Sequence, residues 1–219
     1  MTDPLSPNYG PRRDGLRPSL IVLHYTAMAT CAEARARLCD PACEVSAHWL
    51  ISETGQLEPL VPEHMRAWHA GAGEWCGQSD INSRSIGIEL ANSGAQPFPE
   101  PQMAALEHLL AAIMQRWGIG PVGVIAHSDM APGRKSDPGA RFDWRRLALA
   151  GLSVWPVAPG DPDAPLGPSL DAIGYRASGD SLAAFRLRFR PWAQGAESAD
   201  DRALADAVAR LLIALREIS

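Results

Sequence analysis

Lysine is nearly absent from this 219-residue chain: of its 20 basic residues only Lys135 is a lysine, and the rest are arginine. Such a bias can follow from base composition alone, so the lone lysine gains meaning only from its neighbours. Other absences exclude whole classes of protein. No apolar run approaches the roughly 18 residues that a membrane-spanning helix requires. The net charge is −5, with 13 basic and 16 acidic residues before Trp155 and 7 and 9 after it. Neither half therefore has the basic excess of an electrostatic nucleic-acid binder. The first fifteen residues, M-T-D-P-L-S-P-N-Y-G-P-R-R-D-G, set proline, aspartate and glycine where a signal peptide has its apolar centre, which predicts a chain that is not exported. Four cysteines (Cys31, Cys39, Cys43 and Cys76) contain no paired C-x-x-C and so form no zinc knuckle. Free thiols in a reducing compartment are preferred over a Cys39–Cys43 disulfide.

What is present reads as an α/β protein, with 46% apolar and 21% charged residues. Residues 1–18 read as an extended arm. Residues 19–26 (S-L-I-V-L-H-Y-T) form an apolar run suited to a buried strand. A helix is expected over 30–38, and a strand pair over 45–52 and 55–61 with its turn at 53–55. Residues 85–90 (S-I-G-I-E-L) and 122–126 (V-G-V-I-A) read as further strands. Between them Met103, Leu106, Leu109, Leu110, Ile113, Met114 and Trp117 make one helical stripe, closed by Gly118 and Gly120. A short helix is expected over 142–151. Residues 156–168 are proline-rich and read as a semi-rigid linker. Helical patterns over 181–189 and 199–217 complete a small C-terminal segment. The predicted organisation is a domain over 1–155, the linker, and a helical module over 169–219. About 50 residues is near the lower limit for independent folding, so the module is expected to lean on the first domain.

Three predicted strands end in polar groups: I-V-L-His24, I-G-I-Glu89 and G-V-I-A-His127. The crevice outside strand ends is where α/β sheets bind ligands. Asp137 follows His127 by ten residues, in a proline- and glycine-rich loop. Two imidazoles and one carboxylate suit a catalytic zinc with an open position for water, the second carboxylate serving as base. Spacing leaves open which of Glu89 and Asp137 would ligate. There is no H-E-x-x-H to suggest a zinc protease helix.

Five stretches carry a resemblance: I-V-L-H-Y-T (21–26), V-S-A-H-W-L-I (45–51), R-A-W-H-A-G (66–71), N-S-R-S-I-G-I-E-L-A-N (82–92) and A-H-S-D-M-A-P-G-R-K-S-D-P-G (126–139). In this order they resemble the zinc-dependent N-acetylmuramoyl-L-alanine amidases related to bacteriophage T7 lysozyme and the peptidoglycan recognition proteins. The likeness covers roughly residues 7–150. It implies a mixed sheet flanked by helices, and one zinc per chain held by His24, His127 and Asp137. It further implies Glu89 as proton acceptor for the attacking water and Lys135 as the cation that stabilises the oxyanion. The single lysine thus falls where the family places a catalytic one.

His48, mid-strand, reads as a packed residue, and His64 and His108 as surface. His69, in W-H-A-G, reads as part of a substrate-binding wall, with Tyr25, Thr26 and Asn82 as further contacts to a peptide stem. Trp68 and Trp75 suit either sugar stacking or the core. The C-terminal segment loosely resembles a peptidoglycan-binding module, with a stabilising helical cap as its equal alternative. The implied function is hydrolysis of the lactyl–L-alanine amide in peptidoglycan or in muropeptides. The competing reading is a module that binds muropeptides without cutting them, and the complete set of chemical groups favours the enzyme. Expected partners are muropeptides or the sacculus. The cytoplasm is the expected location, with the cell envelope as the alternative should the chain be trimmed.

Overall fold

The computed structural model describes residues 6–176 and 178–218. The first five residues of the expected N-terminal arm lie outside the described residues. In chain order the elements are β1 (Tyr9–Gly10), β2 (Leu20–Tyr25), α1 (Cys31–Cys39), β3 (Trp49–Ile51), β4 (Leu57–Pro59) and β5 (Arg66–Ala67). A single turn, α2 (Ile81–Arg84), runs straight into β6 (Ser85–Leu90). Then come α3 (Glu100–Trp117), β7 (Val124–Ala126), the one-turn α4 (His127–Met130) and α5 (Trp144–Leu149). The C-terminal part adds α6 (Leu166–Ile173), α7 (Ser181–Phe189) and α8 (Ala199–Ile218).

Five strands form one sheet in the order β4-β3-β6-β2-β7. β3, β6, β2 and β7 are parallel, and β4 returns antiparallel to β3. β1 and β5 make a separate two-residue ladder. This is the mixed sheet flanked by helices expected from the sequence. β3 is shorter than the apolar pattern over 45–52 suggests, and His48 is the reason. Its main chain donates to the Gly87 carbonyl, but the returning Gly87 N–H donates to the imidazole Nδ1 at 2.9 Å. A side chain takes the place of a ladder acceptor, so regular pairing begins only at Trp49.

Period-two alternation assigns each strand residue to one of two faces. Ile21, Leu23, Ile86, Ile88, Leu90 and Val124 share a cluster with the stripe of α3 and with Trp144 and Leu147 of α5. Gly118 ends α3 in the left-handed region (φ 66°), where a residue without Cβ is unstrained. Leu20, Val22 and Ile125 face the other way and pack with Phe185, Phe189 and Val208 of the C-terminal helices. That face is thus shared between the C-terminal helices and the strand-end crevice. α6 begins at Leu166, inside the segment expected to be linker. Pro165 is the extended residue before it and Pro168 lies in its first turn, where a missing N–H breaks no helical bond.

Candidate active site

β6, β2 and β7 are adjacent, and their register fixes what meets at their C-terminal ends. Glu89 pairs with His24, and Leu23 pairs with Ala126, the residue before His127. Alternation sends Glu89, His24 and His127 to the same face, that of Val22 and Ile125. Asp137 arrives from the loop after α4. Its carbonyl accepts from Ser128 N at 3.0 Å, which folds the loop back on itself and returns the carboxylate to His127.

The three groups converge on one point. His24 Nδ1 lies 2.9 Å from His127 Nδ1 and 2.9 Å from Asp137 Oδ2, and His127 Nδ1 lies 3.0 Å from the same oxygen. The outer ring nitrogens decide what these atoms carry. His127 Nε2 faces the Ala70 carbonyl at 2.9 Å, so it holds the proton and donates. Ser85 Oγ donates to the Ile81 carbonyl at 2.6 Å and therefore accepts from His69 Nε2 at 3.1 Å. His69 Nδ1 is then bare and accepts from His24 Nε2 at 3.0 Å. Both Nδ1 atoms consequently present lone pairs to each other and to a carboxylate oxygen. Such an arrangement is repulsive unless a cation is shared, and it is the donor set of a metal site. These residues fit a divalent metal, zinc among those that favour imidazole and carboxylate ligands.

Electrostatics agree with that assignment. Burial, and then the neighbouring His127, lower His24 to about 4, so it is neutral at neutral pH. Burial tends to raise Asp137, but the closeness of His127 and His24 outweighs it and holds the carboxyl below its usual range. Glu89 moves the other way. Burial first and the Asp137 charge second raise it to about 8, against the opposing pull of Lys135. Its Oε2 is buried with no hydrogen-bond partner among the described residues.

These groups floor a cleft of about 370 Å³ whose walls include Tyr25, Thr26, Trp68, Arg134 and Lys135. Lys135 is exposed there. Tyr25 Oη pairs with Ser136 Oγ at 2.9 Å, and Thr26 Oγ1 with the Asn92 carbonyl at 3.4 Å. Two expected substrate contacts are placed differently. His69 touches the cleft but is buried behind His24 with both ring nitrogens engaged, so it fixes the orientation of the His24 ring. Asn82 does not line the cleft; its Oδ1 accepts from His69 N and Ala70 N at 3.0 and 2.8 Å and fixes the loop carrying His69. Trp68 lines the cleft, whereas Trp75 is core, edge-on to Tyr175. His48 is buried and lowered to about 3, chiefly by burial, and takes no part in the cluster. His64 and His108 are exposed.

Sequence reasoning missed Ser85, Arg134 and the backing role of His69. Arg134 Nη2 donates to the Ala70 carbonyl at 2.7 Å, beside His127 on the same acceptor, and also reaches the Ala72 carbonyl. A signal for His69 was available in S-I-G-I-E-L. A glycine inside a strand often marks a close approach, and a Cβ on Gly87 would fall 2.4 Å from the His69 ring.

With this geometry in view, likeness to known proteins becomes informative. The profile of the N-acetylmuramoyl-L-alanine amidase family matches residues 14–140. The amidase AmiD of Escherichia coli K12 is 34% identical over 230 residues, covering 88% of this chain and 82% of that protein. The structure of E. coli AmiD with anhydro-N-acetylmuramic acid-L-Ala-D-gamma-Glu-L-Lys superposes with a TM-score of 0.78 at 33% identity, covering 90% of this chain and 91% of that one. AmpDh3 of Pseudomonas aeruginosa, solved with an anhydromuramic pentapeptide, gives 0.79 at 29% identity, covering 97% and 99%. Profile, near full-length relatives and strand-end cluster agree: this chain belongs to the N-acetylmuramoyl-L-alanine amidase family.

Proposed function

We propose that this chain hydrolyses the amide between the lactyl group of N-acetylmuramic acid and L-alanine in peptidoglycan fragments, with one zinc ion held by His24, His127 and Asp137. The observation that carries the reading is the convergence of two bare imidazole nitrogens and a carboxylate oxygen beside Glu89, whose buried Oε2 has no hydrogen-bond partner among the described residues. When bound, zinc supplies the Lewis acidity that ionises water and polarises the amide carbonyl. Glu89 takes the proton of the attacking water and returns it to the departing alanine amine. Its buried Oε2, with no hydrogen-bond partner among the described residues, is open to that proton. Lys135 faces the oxygen that gains charge only in the transition state, where a positioned cation contributes most. Ser85 and His69 hold His24 in the ligating tautomer, and Ala70 does the same for His127. Tyr25, Thr26 and Trp68 contact the muropeptide.

The AmiD and AmpDh3 complexes, both with anhydromuramic peptides, support soluble fragments as the substrate class. Cytoplasmic action on such fragments fits four unpaired thiols. Cell fractionation with the activity followed tests that location.

Digestion of soluble anhydro-muropeptides and of intact sacculi, with products identified by mass spectrometry, tests the reaction. A chelator abolishes turnover and zinc restores it. His127→Ala loses zinc, whereas His48→Ala loses stability and keeps it. Full turnover by protein shown to be metal-free overturns the reading.

A further inference from the structure

β7 is an edge strand, so its outward main-chain groups have no neighbouring strand to pair with. Two side chains take that place. The Val124 carbonyl accepts from Arg188 Nη2 at 3.1 Å, and Ala126 N donates to Asp129 Oδ2 at 2.9 Å. Arg188 Nη1 donates to that same Asp129 oxygen at 2.6 Å, closing a bracket along the outer side of β7. Asp129 belongs to α4, but Arg188 is on α7, 59 residues away. Tyr175, also from the C-terminal part, donates to Asp129 Oδ1 at 2.5 Å. The Arg188 guanidinium further bonds Ser153 Oγ at 3.1 Å and stacks 4.2 Å from the Trp144 ring. Both partners of the ion pair are buried, at 4% and 0% side-chain exposure. His127 is the next residue after Ala126 and lies inside the bracket.

We infer that Arg188 is a positioning residue for the metal site: the C-terminal helical segment, through Arg188 and Tyr175, sets the β7–α4 turn that aims His127. This rests on His127 being a metal ligand, as proposed above. It gives the C-terminal helices a part in the amidase centre that wall binding does not require. α7 also provides an internal control. Arg186, two residues earlier, makes a second buried pair with Asp201 of α8 at 2.6 Å, and among the described residues its hydrogen bonds stay within the C-terminal segment.

The test compares Arg188→Lys with Arg186→Lys in the full-length protein. Each keeps a positive charge and loses the planar fork, so both lower Tm. Outer contacts of a metal ligand usually govern about 10–100-fold in affinity. Arg188→Lys therefore weakens zinc, measured by chelator competition, by about tenfold or more, and changes the visible absorption of the cobalt(II)-loaded protein. Arg186→Lys leaves affinity within about twofold and the cobalt spectrum unaltered. Should Arg188→Lys fail to fold, Tyr175→Phe carries the test, with a smaller loss of zinc affinity and a spectral change in the same direction. Wild-type affinity and spectrum in folded Arg188→Lys, or in Tyr175→Phe, overturn the inference and leave the metal-site reading intact. A wild-type protein that takes up neither zinc nor cobalt overturns both.

Discussion

The two faces of the central sheet come from the same strands, one residue out of step. On the α3 side Ile21, Leu23, Ile86, Ile88 and Leu90 make an unbroken apolar surface covered by nearby helices. On the opposite side the pattern changes partway along. Leu20, Val22 and Ile125 are covered by helices from the far end of the chain, and then His24, Glu89 and His127 take over at the crevice. The α3 face contributes stability and little else. The other face carries a buried carboxylate oxygen without a hydrogen-bond partner among the described residues and facing lone pairs, each unfavourable to folding, and needs remote helices to complete its core. The difference shows stability and chemistry separated by the pleat rather than by domain.

Neighbouring residues on β6 give the sharpest way to break that comparison. Glu89→Gln keeps the fold and metal and loses about 10²–10⁴-fold in kcat. Ile88→Ala, one residue back, costs about 2–5 kcal/mol of stability and leaves kcat per folded molecule unchanged. Steady-state rates beside thermal melts read both, and a common loss of stability in the two variants would erase the division. Lys135→Arg comes next. It keeps charge but replaces a compact ammonium with a broad fork. Turnover should fall by at least about tenfold with zinc retained; equal rates would reduce Lys135 to its charge alone. Gly87→Ala is milder. The added methyl displaces His69 and lowers zinc affinity by about tenfold, whereas unchanged affinity would mean His69 does not hold His24.

The smallest effect lies in the C-terminal helices. Burial tends to raise Asp201, but bonds from Arg186, Ser198 and Arg190 outweigh it and hold its carboxyl below the ordinary range. A carboxyl lowered by folding contributes stability above its unfolded pKa, about 4, and loses it as pH falls further. The Tm of the wild type therefore declines below about pH 4, and Asp201→Asn, already less stable at neutral pH, declines less steeply. Parallel acid limbs would remove Asp201 from the account.

Local patterns made much of this legible. The stripe from Met103 to Trp117 has one structural solution, and short apolar runs ending in histidine or glutamate put the chemical groups at one sheet edge. The ligand set rested on resemblance, because spacing could not choose between Glu89 and Asp137; that Asp137 lies within 3.0 Å of both imidazoles supports the proposed set. Illegible were the contacts that depend on distant pairing. His69 looks like a loop residue until Gly87 lets its ring lie on the strand and Ser85 takes its second nitrogen. Arg188 sits in an arginine-rich helix with no periodic mark to tell it from Arg186. The helix at Leu166 was hidden by flanking prolines that happen to occupy positions a first turn tolerates.

The scarcity of lysine has a practical outcome at the bench. Amine-directed reagents find one side-chain target on this protein, Lys135, exposed in the wall of the cleft. Reductive methylation or acylation therefore probes the cleft through one side chain, which a bound fragment would shield. Coupling to an amine-reactive surface would tether the molecule by that cleft, or else by its terminal amine.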